Sequence, residues 1–499
     1  MTRLRITAPS LLGCLALLWI ANATAAQQGD GAAERVWVQA QRLEREEKID
    51  DARNEYNLLV SNFPDTSYAQ EALLALARSY RSTDQVQDAY IALDKLANDY
   101  PDSPRAAEAW VLRGRYQIEE AADRAELDDT RTPLRRVPAL FGRKEYPALD
   151  ARVEARVRHG EVHLLLGEAS QAALDFLGAI EEESRSPWMA QAFYGLGRSL
   201  MNNDDWVGAA DALQAVIAQE DGSERLRAEA RIDLAFLHRN WIRPSLGQDR
   251  WLTARPLGIA GAALKRPLRV AARRDGSVLV FDTGQGQILH VSPTGEVAKR
   301  ATQQQTRDVW WSANGRPYAT LNDALYAVDT SQRETFTPAG VPIKNLGAGQ
   351  RGVFQQWVAL DRDKKALWTF DRRGQARALS AASDDVADIA LAPRGELLIL
   401  DRKGKSVTRL DMNGDRVHRF TGSWKRPQAL ASDSYGNVYI LDVGAKTVEV
   451  RDPEGTRIGQ VGPVLPGGIE LRAPEDVAVD GHGRLLLADR GLAQIYVLE

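Results

Sequence analysis

The sequence predicts a multidomain α + β protein, an α-helical repeat solenoid followed by an all-β propeller of six blades. Glycine and aspartate keep register through the second half: Gly276/Asp282, Gly395/Asp401, Gly436/Asp442 and Gly483/Asp489 are each six apart. The aspartates at 282, 361, 401, 442 and 489 follow one another at 79, 40, 41 and 47 residues, so that one unit of propeller-blade length is copied several times. In the first half, Phe63-Pro64-Asp65-Thr66 recurs as Tyr100-Pro101-Asp102-Ser103, 37 residues on, which is the period of a helix pair.

The chain opens with Arg3 and Arg5, an apolar run from Leu11 to Ala21, and the small residues Ala23-Thr24-Ala25. That order predicts a cleaved secretory signal over residues 1–25 and a periplasmic mature chain. Leu11-Leu12-Gly13-Cys14 resembles a bacterial lipobox, although most of the apolar core follows the cysteine, so an outer-membrane lipoprotein anchored at Cys14 is the alternative. Cys14 is the only cysteine; its removal leaves no disulfide, thiol nucleophile or thiolate metal site. The formal charge of −4 shows no basic surplus, and loss of Arg3 and Arg5 makes it more negative, which argues against a nucleic-acid partner.

Residues 33–241 read as helical repeats. Ala52, Tyr56 and Leu59 mark one helix face, the Pro-Asp-Thr turn stops that helix, and Ala69, Leu73 and Leu76 mark the next. Ala52/Ala89, Ala69/Ala106, Ala173/Ala210 and Ile180/Ile217 all keep the spacing of 37. Residues 121–147 keep no register and turn from acidic to basic, as a long loop or irregular helical insert would, with a solvated connector and a partner-facing segment as its two readings. The junction at 242–261 is short and holds Pro244, Gly247 and Pro256, which favours a defined placement over free tethering.

From 262 to 499 the blade unit is clearest at 387–420, where ADIALA, ELLIL, SVTRLD and RVHRF are separated by turn residues. Asp401 ends the second strand, where a short carboxylate can accept hydrogen bonds from turn amides. Leu321 replaces the aspartate in the second blade, and Gly352 to Asp361 at nine predicts an insertion in the third. The sixth blade stops at Glu499, before a fourth strand, and the segment Trp251–Gly261 is the predicted closing strand that removes the open edge.

PEDVAVDGHGRLLLADRGLAQIYVL and PQALASDSYGNVYILDVGAKTVEVRDPEG resemble NHL repeats, and the resemblance covers about residues 262–499. It implies a six-bladed propeller that serves as a binding platform, while related propellers include lactonases and lyases. The helical half resembles tetratricopeptide (TPR) repeats, and its FPDT and YPDS turns are similar to those of bacterial envelope proteins tied to outer-membrane assembly and the Tol-Pal system. That resemblance implies an envelope protein partner held in the helical groove.

No catalytic motif emerges. His159 and His163 lie one helical turn apart, but a zincin needs glutamate directly after the first histidine, and the sequence offers no obvious third ligand. Gly347–Gly352 spells a dinucleotide loop among strands, with no helix to receive a pyrophosphate. His290, His418 and His482 fall in outer strands or a turn, so no ligand histidines carry over from the zinc-dependent propeller lyases. Trp310, Trp311, Trp357, Trp368 and Trp424 serve either as blade packing or as glycan platforms.

Counting back seven residues from each blade's first glycine reaches Arg269, Asp308, Asn345, Asp388, Ala429 and Asp476, five of them polar. These positions predict a ligand-binding ring at one mouth of the central channel. Asp308, Asp388 and Asp476 are the candidate ligands for calcium or magnesium, and the alternative is that they order the mouth by bonding loop amides. The sequence thus reads as a noncatalytic periplasmic scaffold with no required cofactor. Its helical groove takes an envelope protein, and its propeller takes a glycan or a second protein. A propeller lactonase or lyase, or a carbohydrate-binding protein, is the competing reading.

Overall fold

A computed structural model describes residues 30–499 apart from 148, 183–184, 220–222, 246, 248, 313–314, 336–342, 344–345, 352–356, 364, 371–375, 380–384, 394 and 412–413. The signal segment with Cys14, Asn345 and the blade-three insertion lie outside the described residues. The chain divides into two compact units, one of residues up to 120 with 130–159, the other of 121–129 with 160–499.

The first unit begins with α1 (30–45), α2 (Ile49–Asn62), α3 (Ser67–Ser82), α4 (Val86–Asp99) and α5 (Pro104–Glu120). Ala52, Tyr56 and Leu59 are almost fully buried, as are Ala72, Leu73 and Leu76 on the next helix. Each helix pair turns the same way: Phe63 N–H donates to Leu59 O and Tyr100 N–H to Leu96 O. A proline then follows, where the helix cannot continue. Arg53, 8% exposed, ties neighbouring repeats by donating to Ser79 Oγ, Ser79 O, Thr83 Oγ1 and Gln85 Oε1 at 2.6–2.8 Å. The insert 121–147 is largely helical, as α6 (Arg124–Asp129) and α7 (Arg131–Leu140). Within the first unit α7 buries Val137 against Ala106, Val111 and Phe141, and Gly114 is required because a Cβ there would stand 2.6 Å from Leu134.

After α8 (Asp150–Leu165), which contains the boundary, the second unit continues with α9 (Ala169–Glu182), α10 (Met189–Asn202), α11 (Trp206–Ala218) and α12 (Glu224–Leu237), which runs on through a π-helical turn, His238–Ile242. Six four-stranded antiparallel sheets follow. Their innermost strands are Pro267–Ala272, Asp308–Trp311, Leu346–Arg351, Val386–Leu391, Pro427–Ser432 and Pro474–Val479. Strand Ala254–Pro256 pairs with Gln494–Leu498 and completes the sixth sheet, with Leu252 N–H and Leu257 N–H donating to Glu499 O and Ile495 O. Residues 254–256 and 494–498 thereby share one blade, and the sixth sheet has its fourth strand.

The blade aspartates work as the turn chemistry requires. Asp282 accepts from Lys265 N–H (2.7 Å) and Arg266 N–H (2.8 Å) in the incoming loop and from Gly284 N–H (2.9 Å) in its own turn. Asp442 does the same with Lys425, Arg426 and Gly444, and Asp489 with Arg472, Ala473 and Gly491. One buried carboxylate thus joins the end of the second strand to the entry of the first, and its own desolvation is met by N–H donors.

Within this unit α10–α12 bond to the turns that join first and second strands. Arg274 reaches Asp233 at 2.7 Å, Tyr194 Oη at 2.9 Å and also Glu229; Asp233 is fully buried and has Arg198 at 3.4 Å as its second cation. Trp206 stacks on Trp241 at 4.1 Å, and Tyr435 sets its edge against both. Arg239 donates to His482 O, and Gly483 leaves room for Phe236 and Asn240. The sequence put the change of domain at 242–261; the secondary structure does change there, while the contacts keep the last helix pairs with the propeller. We expect Arg274→Met to strand Asp233 with only its distant partner and to cost about 3 kcal/mol. Urea unfolding measures this, and a loss within about 0.5 kcal/mol, the usual range for a surface change, would contradict it.

Candidate ligand site at the channel mouth

The channel mouth is built by a repeated irregularity. In blade one, Pro267 pairs with Asp282 but Arg269 with Phe281, so one residue of the innermost strand is left over. The same shift precedes Asp388, Ala429 and Asp476. A bulge at the strand's start re-aims the next side chain, here from the sheet toward the axis. In blade two Asp308 itself begins the innermost strand.

Arg269, Asp308, Asp388 and Asp476 come together there. The Arg269 guanidinium lies 4.0 Å from Asp308 Oδ1 and 4.0 Å from Asp476 Oδ1, and its Nε–H donates to Arg307 O at 3.1 Å. Asp476 Oδ2 accepts from Val270 N–H of the next blade at 2.8 Å, and Asp388 Oδ2 from Leu430 N–H at 2.9 Å. Asp388 Oδ1 and Asp308 Oδ1 also accept from the amides that follow them, Ile389 and Val309. Ala429, the fifth blade's position, is fully buried.

Burial raises all three carboxyls. Asp476 is pushed up to about 7 by desolvation, which outweighs the pull of Arg269 and is aided by the nearby Asp308 charge. Asp388 stands well above the usual carboxylate range, because it is desolvated and faces both other aspartates. Asp308 is raised less, since Arg269, Val309 N–H and Arg362 oppose its desolvation. Burial alone would lower the Arg269 pKa, but Asp476, Asp308 and Asp388 outweigh it. The group is a coupled cluster in which Arg269 offsets part of the acids' charge.

Below it lies a cavity of about 160 Å³ lined by the three aspartates, Trp311 and the innermost strands. This is room for several waters. The three carboxylates do not bring one oxygen each within 4.8 Å of one another, and Arg269 supplies the positive charge that calcium or magnesium would bring. Of the tryptophans, Trp310 is 3% exposed and stacks on Tyr318 at 4.8 Å, and Trp424 is buried among residues of blades four and five. Trp311 lines the cavity but donates its Nε1–H to Ala271 O and meets the edge of His290 at 5.1 Å. Trp357 and Trp368 pack against the core around Trp310. These contacts are those of blade packing. His163 likewise has carboxylates at both ring nitrogens, Glu168 at 2.6 Å and Asp175 at 3.5 Å.

Sequence reasoning missed Arg307 and Arg362. Arg362, whose pKa burial and the Arg269 charge lower, follows the blade aspartate Asp361, a position the register could have located.

Residues 30–147 match the family model described as YfiO, outer membrane lipoprotein, and residues 191–223 match a tetratricopeptide repeat model. The chain joins tetratricopeptide-type helical repeats to a six-bladed β-propeller. No curated protein matches it. Among solved structures it is similar to virginiamycin B lyase from Staphylococcus aureus (10% identity, TM-score 0.38, 49% of this chain and 98% of that one). It is also similar to a Xanthomonas campestris gluconolactonase (12%, 0.40, 50% and 90%) and a calcium-binding regucalcin from Agrobacterium tumefaciens (14%, 0.39, 50% and 93%). Among the described residues no helix is long and apolar enough to cross a membrane.

The raised carboxyl yields a pH test. Folded Asp476 holds a proton up to about pH 7, whereas the unfolded chain loses it near pH 3.9, so stability falls as pH rises between those values. Asp476→Asn keeps an acceptor for Val270 N–H and removes the titration. Calorimetry from about pH 5 to about pH 8 should show the melting temperature of the unaltered protein falling more steeply than that of the variant. Equal slopes, or a steeper one in the variant, would refute the assignment.

Proposed function

We propose that the chain is a noncatalytic interaction scaffold of the bacterial cell envelope. Its helical repeats hold a protein partner, and its propeller is a rigid second platform. The observation that carries the noncatalytic reading is Arg269, which sits between Asp308 and Asp476 while those acids and Asp388 bond backbone amides. Asp388 and Asp476, so engaged, hold neighbouring blades together; a lactonase or lyase site needs acids free to bind a metal or move a substrate proton.

The match of residues 30–147 to an outer-membrane lipoprotein model supports an envelope location, and tetratricopeptide repeats are protein-binding modules by type. Within that stretch α7 presents Arg135, Arg136 and the 60% exposed Leu140, with the Arg136 guanidinium over Trp110 at 4.5 Å. Arginine and tryptophan beside exposed aliphatic surface are the residue types that anchor protein interfaces. On this reading the insert is the partner-facing segment, and the ring residues order the mouth without a resident metal.

The test uses the full chain as bait in envelope extract, alongside Arg135→Glu with Arg136→Glu, and assays both proteins on a panel of lactones. The account expects captured proteins to fall about tenfold or more with the double variant, and no lactone hydrolysis by either. Capture that ignores the substitutions, or hydrolysis abolished by Asp388→Asn, would replace the scaffold with another reading.

A further inference from the structure

The two faces of the propeller differ. The turns joining first and second strands carry Arg274, Tyr435 and His482, which are bonded to α10–α12 and the π-helical turn. The opposite face, formed by the loops that enter each innermost strand and the turns between second and third strands, displays a crescent of cations. Lys265, Arg266, Lys403, Lys405, Lys425 and Arg426 are all exposed there, and none forms an ion pair among the described residues.

Their display follows from the blade aspartates. Asp282 and Asp442 bind the backbone N–H groups of Lys265-Arg266 and Lys425-Arg426, so the carboxylate faces inward and the basic side chains are left outside. Of the acids on this face, Asp385 pairs with Arg402, Glu475 with Arg490 and Asp323 with Arg333, while Glu470 is exposed. On the same face a hairpin, Val464–Leu465 paired with Ile469–Glu470, buries Leu465 in the core and leaves Val464 55% exposed, with Gly467-Gly468 at its tip. Unpaired cations spread over a disc, next to a small apolar projection, complement a planar anionic surface better than a compact ligand.

We infer that this face docks the protein peripherally on anionic phospholipid, with Lys265-Arg266 and Lys425-Arg426 meeting headgroup phosphates. The inference relies on the envelope reading only for the kind of membrane encountered; purified vesicles test the surface itself, so either idea can fail without the other.

The experiment is co-sedimentation of the purified protein with vesicles of phosphatidylglycerol in phosphatidylcholine and of phosphatidylcholine alone, over a salt series. Binding should require phosphatidylglycerol and weaken as salt rises. Lys265→Glu with Arg266→Glu should lower the partition coefficient about tenfold or more, from the usual contribution of each basic residue near an anionic surface. Arg300→Glu with Arg416→Glu, an equal charge change on the outer strands of blades one and four, should leave it within about twofold, and circular dichroism should confirm that both variants are folded. Equal binding to both vesicle types, no binding at low salt, or equal loss in the two variants would overturn the inference. If a misfolded first variant leaves that arm unread, Lys403→Glu with Lys405→Glu, in an exposed turn, takes its place with the same expected loss.

Discussion

Blades one, five and six of the propeller depend on one repeated interaction, a carboxylate at the end of the second strand that accepts N–H donors from two loops. Asp282, Asp442 and Asp489 each bind the two residues that precede the innermost strand and the turn that follows their own. An unpaired buried carboxylate would be costly, so the loops are drawn to it, and the chain must enter the innermost strand at a set point. The proline that follows, Pro267, Pro427 or Pro474, suits that point because it begins a strand and donates no ladder bond. The bulge comes next, and with it the direction of the residue that faces the channel.

The same economy governs the channel mouth. Asp388 and Asp476 reach across to the next blade's strand amides, as the blade aspartates reach across loops, and the excess negative charge is met by Arg269 and by protons held above the ordinary carboxylate range. Acid clusters in channels invite a catalytic or metal reading, and these acids also have partners within the fold. The junction of helices and propeller is built likewise: Asp233 is buried because Arg274 and Arg198 meet it.

What repeats was legible in the sequence; what occurs once was not. The spacing of Gly276 and Asp282 and of their copies announced the blades, the FPDT and YPDS turns announced helix pairs, and counting back from the glycines found Arg269, Asp308, Asp388 and Asp476 before their geometry was known. The role of Arg269 as the cluster's own cation could not be read, because a register gives positions but not which side chains pair across blades. The contact of Arg274 with Asp233 and Glu229 joins segments about forty residues apart, belongs to no repeat, and left no periodic trace. The sequence left 121–147 open between a long loop and an irregular helical insert for the same reason, as the apolar spacing of α7 serves a local fit to Ala106 and Val111.

The central claim is that the channel carboxylates are ties between blades. Native-state hydrogen exchange at the amides of Val270 and Leu430 tests it most directly, in the unaltered protein and in Asp476→Ala and Asp388→Ala, with and without calcium. The account predicts slow exchange at both amides in the unaltered protein, selective acceleration of Val270 in the first variant and of Leu430 in the second, and no effect of calcium. Exchange indifferent to these substitutions, or protection that appears only when calcium is added, would contradict it.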